Sequence, residues 1–157
     1  MIMAGGKGTR FWPLSRKEKP KQFLSIIEDK PLIETTLERI AELAPKENRW
    51  ILGNNEQTNH LKKLNAYLPE ENILKEPFGK NTAACIGWGA FEAIKKDPNA
   101  ICVILSADAW IEPVENFQQV ILEAVKEVKD NNSVVTIGIP PTSAHTGYGY
   151  IQTNNSQ

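Results

Sequence analysis

Short apolar runs alternate along this chain with segments whose apolar residues recur every three or four positions. The runs rich in β-forming residues are Trp50-Ile51-Leu52, Ile73-Leu74, Ile101-Cys102-Val103-Ile104-Leu105 and Val134-Val135-Thr136-Ile137. A shorter one, Met1-Ile2-Met3, precedes the first glycines, and each run is expected to form a strand. Between them, Ile33, Leu37, Ile40 and Ala44 mark one helix face. Val114, Phe117, Ile121, Val125 and Val128 mark another, with Glu and Lys on the far side. Thr82 to Lys96 is mostly small and apolar, which predicts a helix buried at its start, and Asn81 is placed to cap it.

Strands alternating with helices of this length predict βαβ units. The expected fold is α/β: a Rossmann-like, mainly parallel sheet with helices on both faces. Ile101 to Leu105 is apolar without alternation, as a central strand covered on both faces would be. No repeat, low-complexity tract or linker interrupts residues 1–157, which read as a single domain. Ile151-Gln152-Thr153 begins like a strand and gives way to a polar tail, so the sheet is expected to be incomplete on its C-terminal side.

A length of 157 residues allows one real core. Hydrophobic content of 41% and charged content of 24% are those of a globular protein. A net charge of -1 gives no electrostatic reason for binding nucleic acid or an anionic membrane, so neither is expected as a partner. Apolar runs fall well short of the roughly 18 residues of a membrane span. The N-terminus lacks the basic region and long apolar core of a signal peptide, and a cytoplasmic location is expected. Cys85 and Cys102 have neither Cys-x-x-Cys spacing nor a nearby His, so they read as reduced core thiols. His60 lies in a polar helical stretch and is expected to be exposed.

The candidate chemistry begins after the first run, at Ala4-Gly5-Gly6-Lys7-Gly8-Thr9-Arg10. Gly5, Gly6 and Gly8 permit a tight turn and bring bare N–H groups close to an anion, and Lys7 and Arg10 add positive charge. The pattern reads as a phosphate cradle. It is not a P-loop, because Gly6-Lys7 is followed by Gly8 rather than Ser or Thr. Nor is it a dinucleotide fingerprint: with Gly6 and Gly8 as the first pair, the third glycine position holds Phe11.

The next stretch contains Arg10-Phe11-Trp12-Pro13-Leu14-Ser15-Arg16 and Pro20-Lys21-Gln22-Phe23. With the glycines before it, this is similar to the signature of the sugar-phosphate nucleotidyltransferases, in the version carried by the mannose-1-phosphate guanylyltransferase branch. The resemblance implies a nucleotide-diphospho-sugar transferase fold. It also implies a Mg²⁺-dependent transfer of GMP from GTP to mannose 1-phosphate, with release of pyrophosphate. On the matching positions, Gly5, Gly6, Gly8 and Thr9 would hold the nucleotide, and Arg10 and Lys21 would be catalytic charge stabilisers.

Three downstream segments extend the resemblance. Glu76-Pro77-Phe78-Gly79-Lys80-Asn81-Thr82-Ala83-Ala84 is similar to the family's segment near the base. There Gly79 permits close approach, and Asn81 and Thr82 offer an amide and a hydroxyl to a base edge. Leu105-Ser106-Ala107-Asp108 ends a strand, where ligands of open α/β sheets sit, and Asp108 would hold the Mg²⁺. The family usually has His after this Asp, where this chain has Ala109 and Trp110. His145-Thr146-Gly147-Tyr148-Gly149-Tyr150-Ile151 resembles the family's Glu-Thr-Gly-Tyr-Gly-Tyr-Ile segment, so Tyr148 and Gly149 would approach the sugar phosphate, with His145 where Glu is common.

Such chemistry needs no nucleophile–base pair, because the attacking oxygen belongs to a sugar phosphate that is already anionic. The protein must align the reactants and neutralise charge. Two other readings stay open: another sugar-1-phosphate nucleotidyltransferase, and a nucleotide-binding module without turnover. The family extends about as far again beyond residue 157, and one branch is fused to a phosphomannose isomerase. That further half would supply much of the sugar pocket and a surface for a homo-oligomer.

Overall fold

The computed structural model describes residues 1–6, 11–16, 18–26 and 29–153. Four short strands, β1 (Ile2–Met3), β2 (Ile51–Asn54), β3 (Ile73–Glu76) and β4 (Leu105–Ser106), form a parallel sheet in the order β3-β2-β1-β4. Ile2 lies beside Ile51, and Ile51 beside Ile73, so one face carries a row of β-branched side chains. All three are buried.

Helix α1 (Leu32–Arg39) covers that face. Its Ile33 and Leu37 are fully buried in a cluster with Ile2, Ile51, Leu61 and Leu64. Glu34 in its first turn and Arg39 in its last complement the helix dipole. The short helix α2 (Thr58–Leu61) adds Leu61 to the same cluster, after a turn whose Asn54 and Gln57 side chains cap each other's backbone.

Helix α3 (Asn81–Lys96) covers the opposite face. Leu52 follows Ile51 in the strand and so points the other way. A Cβ built on Gly89 of α3 would lie 3.1 Å from Leu52 and 3.0 Å from Met1 Sδ. The absence of a side chain at Gly89 thus lets the helix lie close on the sheet. Helix α4 (Val114–Asn131) crosses the end of α1, where Gln118 Nε2 donates to Arg39 O at 2.9 Å and Phe117 packs against the core. It ends at Asn132 in the left-handed conformation, φ 47°. The expected helix faces hold: Ile33, Leu37, Ile40 and Ile121 are buried, and Val114, Val125 and Val128 are half-buried.

Several expectations are corrected. Only Leu105 and Ser106 of the stretch from Ile101 form ladder pairs, and β4 is an edge of the described sheet rather than a central strand. Its inner side follows β1, with Met1 donating to Val103 O at 2.8 Å and Leu105 N to Met1 O at 2.9 Å. Val134 to Ile137 is not a strand, because no described residue offers it a ladder partner, and Val134 is 97% exposed. Ile151 to Thr153 likewise forms no strand. The start of α3 is exposed rather than buried. Only Cys85, Gly89 and Ala93, four residues apart, are buried against the sheet. Asn81 does not cap α3: Lys80 holds that position without a side-chain bond, and Asn81 is the first helical residue with φ 66°.

Candidate active site

The strand order places a topological switch between β1 and β4. From β1 the chain runs to β2 and then β3 on one side, and it returns to β4 on the other. The carboxyl ends of β1 and β4 are therefore the general ligand position in such a sheet. Gly5 and Gly6 leave β1 there, and Asp108 lies just beyond β4. Register pairs Ile2 with Leu105 and Met3 with Ser106, so two further steps bring Gly5 level with Asp108.

Lys21 closes the arrangement. It starts a tight turn, Lys21–Phe23, after Pro20, and its ammonium forms an ion pair with Asp108 Oδ2. The same ammonium lies 4.2 Å from the centre of the Phe11 ring. The next residue, Gln22, is buried and donates to Ala4 O, tying the turn to the glycine loop. Ser106 Oγ donates to Asp108 Oδ1. Burial alone would raise the Asp108 carboxyl, but hydrogen bonds from Lys21 and Ser106 and the Lys21 charge hold it below its ordinary value.

The segment after Asp108 is held from below. Arg39, 5% exposed at the end of α1, donates to Ala109 O at 2.9 Å, and its guanidinium carbon is 5.6 Å from the Phe117 ring centre. Burial lowers its pKa. On the other side of the glycine loop, Asn54 Nδ2 donates to Gly5 O at 3.4 Å. A Cβ on Gly5 would lie 3.4 Å from Glu76 Oε2, so the buried Glu76 carboxylate borders the loop. Burial, and then the Glu76 charge and hydrogen bond, push the Cys85 thiol up to about 11.

Of the residues singled out in the sequence, the structure brings Gly5, Gly6, Lys21 and Asp108 together. Gly8, Thr9 and Arg10 lie outside the described residues. Gly79 is in an exposed turn with open space around it, and Asn81 and Thr82 are exposed at the start of α3. Tyr148 and Gly149 are exposed in a segment whose contacts run among its own residues. Tyr150 Oη donates to His145 O at 2.9 Å, and the His145 and Tyr148 rings are 4.7 Å apart. Gln22, Arg39 and Glu76 border the site without standing out for that role in the sequence. Gln22 lies in a recognised motif, whereas nothing in the sequence separates Arg39 from other helix-ending cations.

Among the described residues no group of three or more His, Cys, Asp or Glu could hold a metal. At the end of β4 the site offers one carboxylate, Asp108, while Glu76 is buried on the other side of the glycine loop. A lone carboxylate suits a hard divalent cation that keeps its waters and shares phosphate oxygens, not a closed site of four protein ligands. No described helix is long and apolar enough to cross a membrane.

The nucleotidyl transferase family matches residues 1–157. The chain belongs to that family. Among curated relatives, mannose-1-phosphate guanylyltransferase 2 of Escherichia coli O157:H7 is 38% identical over 97% of the chain and 32% of its own length. Mannose-1-phosphate guanylyltransferase RfbM of Salmonella typhimurium is 39% identical over the same shares. This nucleotidyl transferase chain thus spans about a third of the length of the curated relatives it matches. A crystal structure described as mannose-1-phosphate geranyltransferase from Thermus thermophilus is similar to it with a TM-score of 0.75 and 32% identity. That similarity covers 82% of this chain and 37% of the other.

Proposed function

We propose that residues 1–157 form the nucleotide-holding domain of an enzyme that transfers GMP from GTP to mannose 1-phosphate, Mg²⁺-dependently, releasing pyrophosphate. The observation that carries this reading is the Lys21–Asp108 pair set beside Gly5 and Gly6 at the switch point of the sheet. The names of the relatives supply the base and the sugar.

Mg²⁺, when bound, would supply positive charge that offsets the negative charge of the phosphates. Asp108 is the protein ligand available to it. Lys21, paired with Asp108 in the free protein, has a short reach to an anion at the same strand ends, where it can stabilise charge on the phosphates. Gly5 and Gly6 bring backbone N–H groups to the triphosphate; Gly8, Thr9 and Arg10, outside the described residues, are assigned to the same phosphates by the motif they share with the family. Gly79, Asn81 and Thr82 line the base. Tyr148 and Gly149 serve the sugar phosphate.

The test is product identification. The chain, at high concentration with Mg²⁺, is given each of GTP, ATP and UTP with mannose 1-phosphate or glucose 1-phosphate. GDP-mannose should form from GTP and mannose 1-phosphate in preference to every other pair. The rate should be far below the ordinary range of about 1–10³ per second, because much of the sugar pocket is expected outside these residues. A different preferred pair would reassign base or sugar. GTP binding with no product from any pair would leave the second reading, a binding module.

A further inference from the structure

His60 belongs to none of the motifs, yet it touches the loop that carries Lys21 at two points. Its ring, on α2, is half-buried and stacks on Phe23 with centroids 4.7 Å apart and an angle of 26° between planes. Its Nε2 lies 2.9 Å from Glu18 O. A carbonyl oxygen only accepts, so Nε2 carries the proton, and both the neutral Nε2–H ring and the imidazolium can make this bond. The exposed position expected for His60 is therefore corrected.

The two contact points matter because of what lies between them. Arg16 and Lys19 exchange two backbone hydrogen bonds of 3.0 Å and form a tight turn, with Glu18 inside it. Phe23 ends the next turn, where its N–H donates to Pro20 O at 2.9 Å and Leu24 N to Lys21 O at 3.1 Å. Lys21 thus sits between two anchored points. Its long side chain would otherwise sample many rotamers, and its hold on Asp108 depends on a fixed backbone.

We propose that His60 is a positioning residue, which staples the Arg16–Lys19 turn to the Lys21–Phe23 turn and so holds Lys21 at Asp108. The inference rests on the reading of Lys21 as a phosphate-facing cation, and the test below separates the two.

Two measurements on His60→Ala, His60→Gln and His60→Phe test it. The first is amide hydrogen exchange. In His60→Ala the amides of Lys19, Phe23 and Leu24 should exchange about five- to tenfold faster, the scale of one hydrogen bond and one ring contact. Amides of Leu37 and Leu52 should not change. His60→Gln, which keeps a donor but no ring, should restore Lys19 more than Phe23, and His60→Phe should do the reverse. Unchanged exchange in the loop, or equal acceleration throughout, would overturn the proposal.

The second is calorimetric titration with Mg²⁺-GTP of wild type, His60→Ala, Lys21→Ala and the double variant. A residue that acts through Lys21 should weaken binding alone but add nothing once Lys21 is gone. Additive losses would overturn the proposal. If wild type binds no GTP while the exchange pattern is as expected, the staple stands and the nucleotide reading falls.

Discussion

Replacing Asp108 by asparagine keeps the size of the side chain and an oxygen to accept from Ser106, but removes the charge that faces Lys21. The side chains of Lys21 and Asp108 are 16% and 32% exposed, so the pair lies between a surface ion pair and a buried one. Its loss should cost about 1 kcal/mol, or about 2–4 °C in Tm, and the variant should fold. Metal-dependent binding should suffer more. A carboxylate centred about 3 Å from a dication is worth roughly 3 kcal/mol even at the dielectric of water, on the order of 10²-fold in Kd. Without metal the sign reverses. A carboxylate close to triphosphate repels it, whereas the asparagine side chain is neutral and releases Lys21, so GTP should then bind the variant as well or better. Titration calorimetry of both proteins, with GTP in Mg²⁺ and in chelator, measures the contrast. An equal loss under both conditions, or no loss in Mg²⁺, would refute the assignment of Asp108 as metal ligand.

Neutralising Arg10 or Lys21 in an enzyme of the relatives' full length should lower kcat on the order of 10²-fold, with Tm falling by no more than the few degrees that loss of the Lys21–Asp108 pair costs; a large loss of Tm at normal rate would make them structural. Arg39→Ala removes a buried donor to Ala109 O, and urea unfolding should show about 1–3 kcal/mol lost; an unchanged midpoint would refute its role in holding the segment after Asp108. Cys85 keeps its proton in the folded chain up to about pH 11 against an ordinary value of 9.0, so its contribution is complete below pH 9 and is lost as pH rises to about 11. Cys85→Ala should flatten that limb of the stability–pH curve, and an identical curve would show that burial does not hold the proton.

Local pattern carries most of the fold. Ile33, Leu37 and Ile121 announce their burial by period and Ile51 and Ile73 by their apolar runs, because each lies on an element that packs against a partner within the described residues. Val134 to Ile137 has the composition of a strand, but a strand is completed by its neighbour, and composition does not show whether one is in reach. The start of α3 misleads for a related reason. Small apolar residues there suggest packing, yet Thr82, Ala83 and Ala84 lie beyond the narrow Cys85-Gly89-Ala93 stripe that meets the sheet. Asn81 reads as a cap from its residue type, although an amide-bearing residue is equally suited to the positive φ it adopts.

The site is legible where a motif reaches it and opaque where geometry alone builds it. Lys21 and Asp108 each stand out for a separate role, but their direct pairing follows from the meeting of β1 and β4, which no local signal encodes. Glu76 opens a recognised segment, and its burial beside Gly5 emerges only once β3 is placed in the sheet. His60, by sequence, is one more polar position on a short helix.

The most direct test of the account is titration calorimetry of residues 1–157 with GTP, ATP and UTP at saturating Mg²⁺. The account predicts that GTP binds at least about tenfold more tightly than either of the others, a difference of about 1.4 kcal/mol. Equal affinities for the three triphosphates, or no heat of binding for GTP at millimolar concentration, would contradict it.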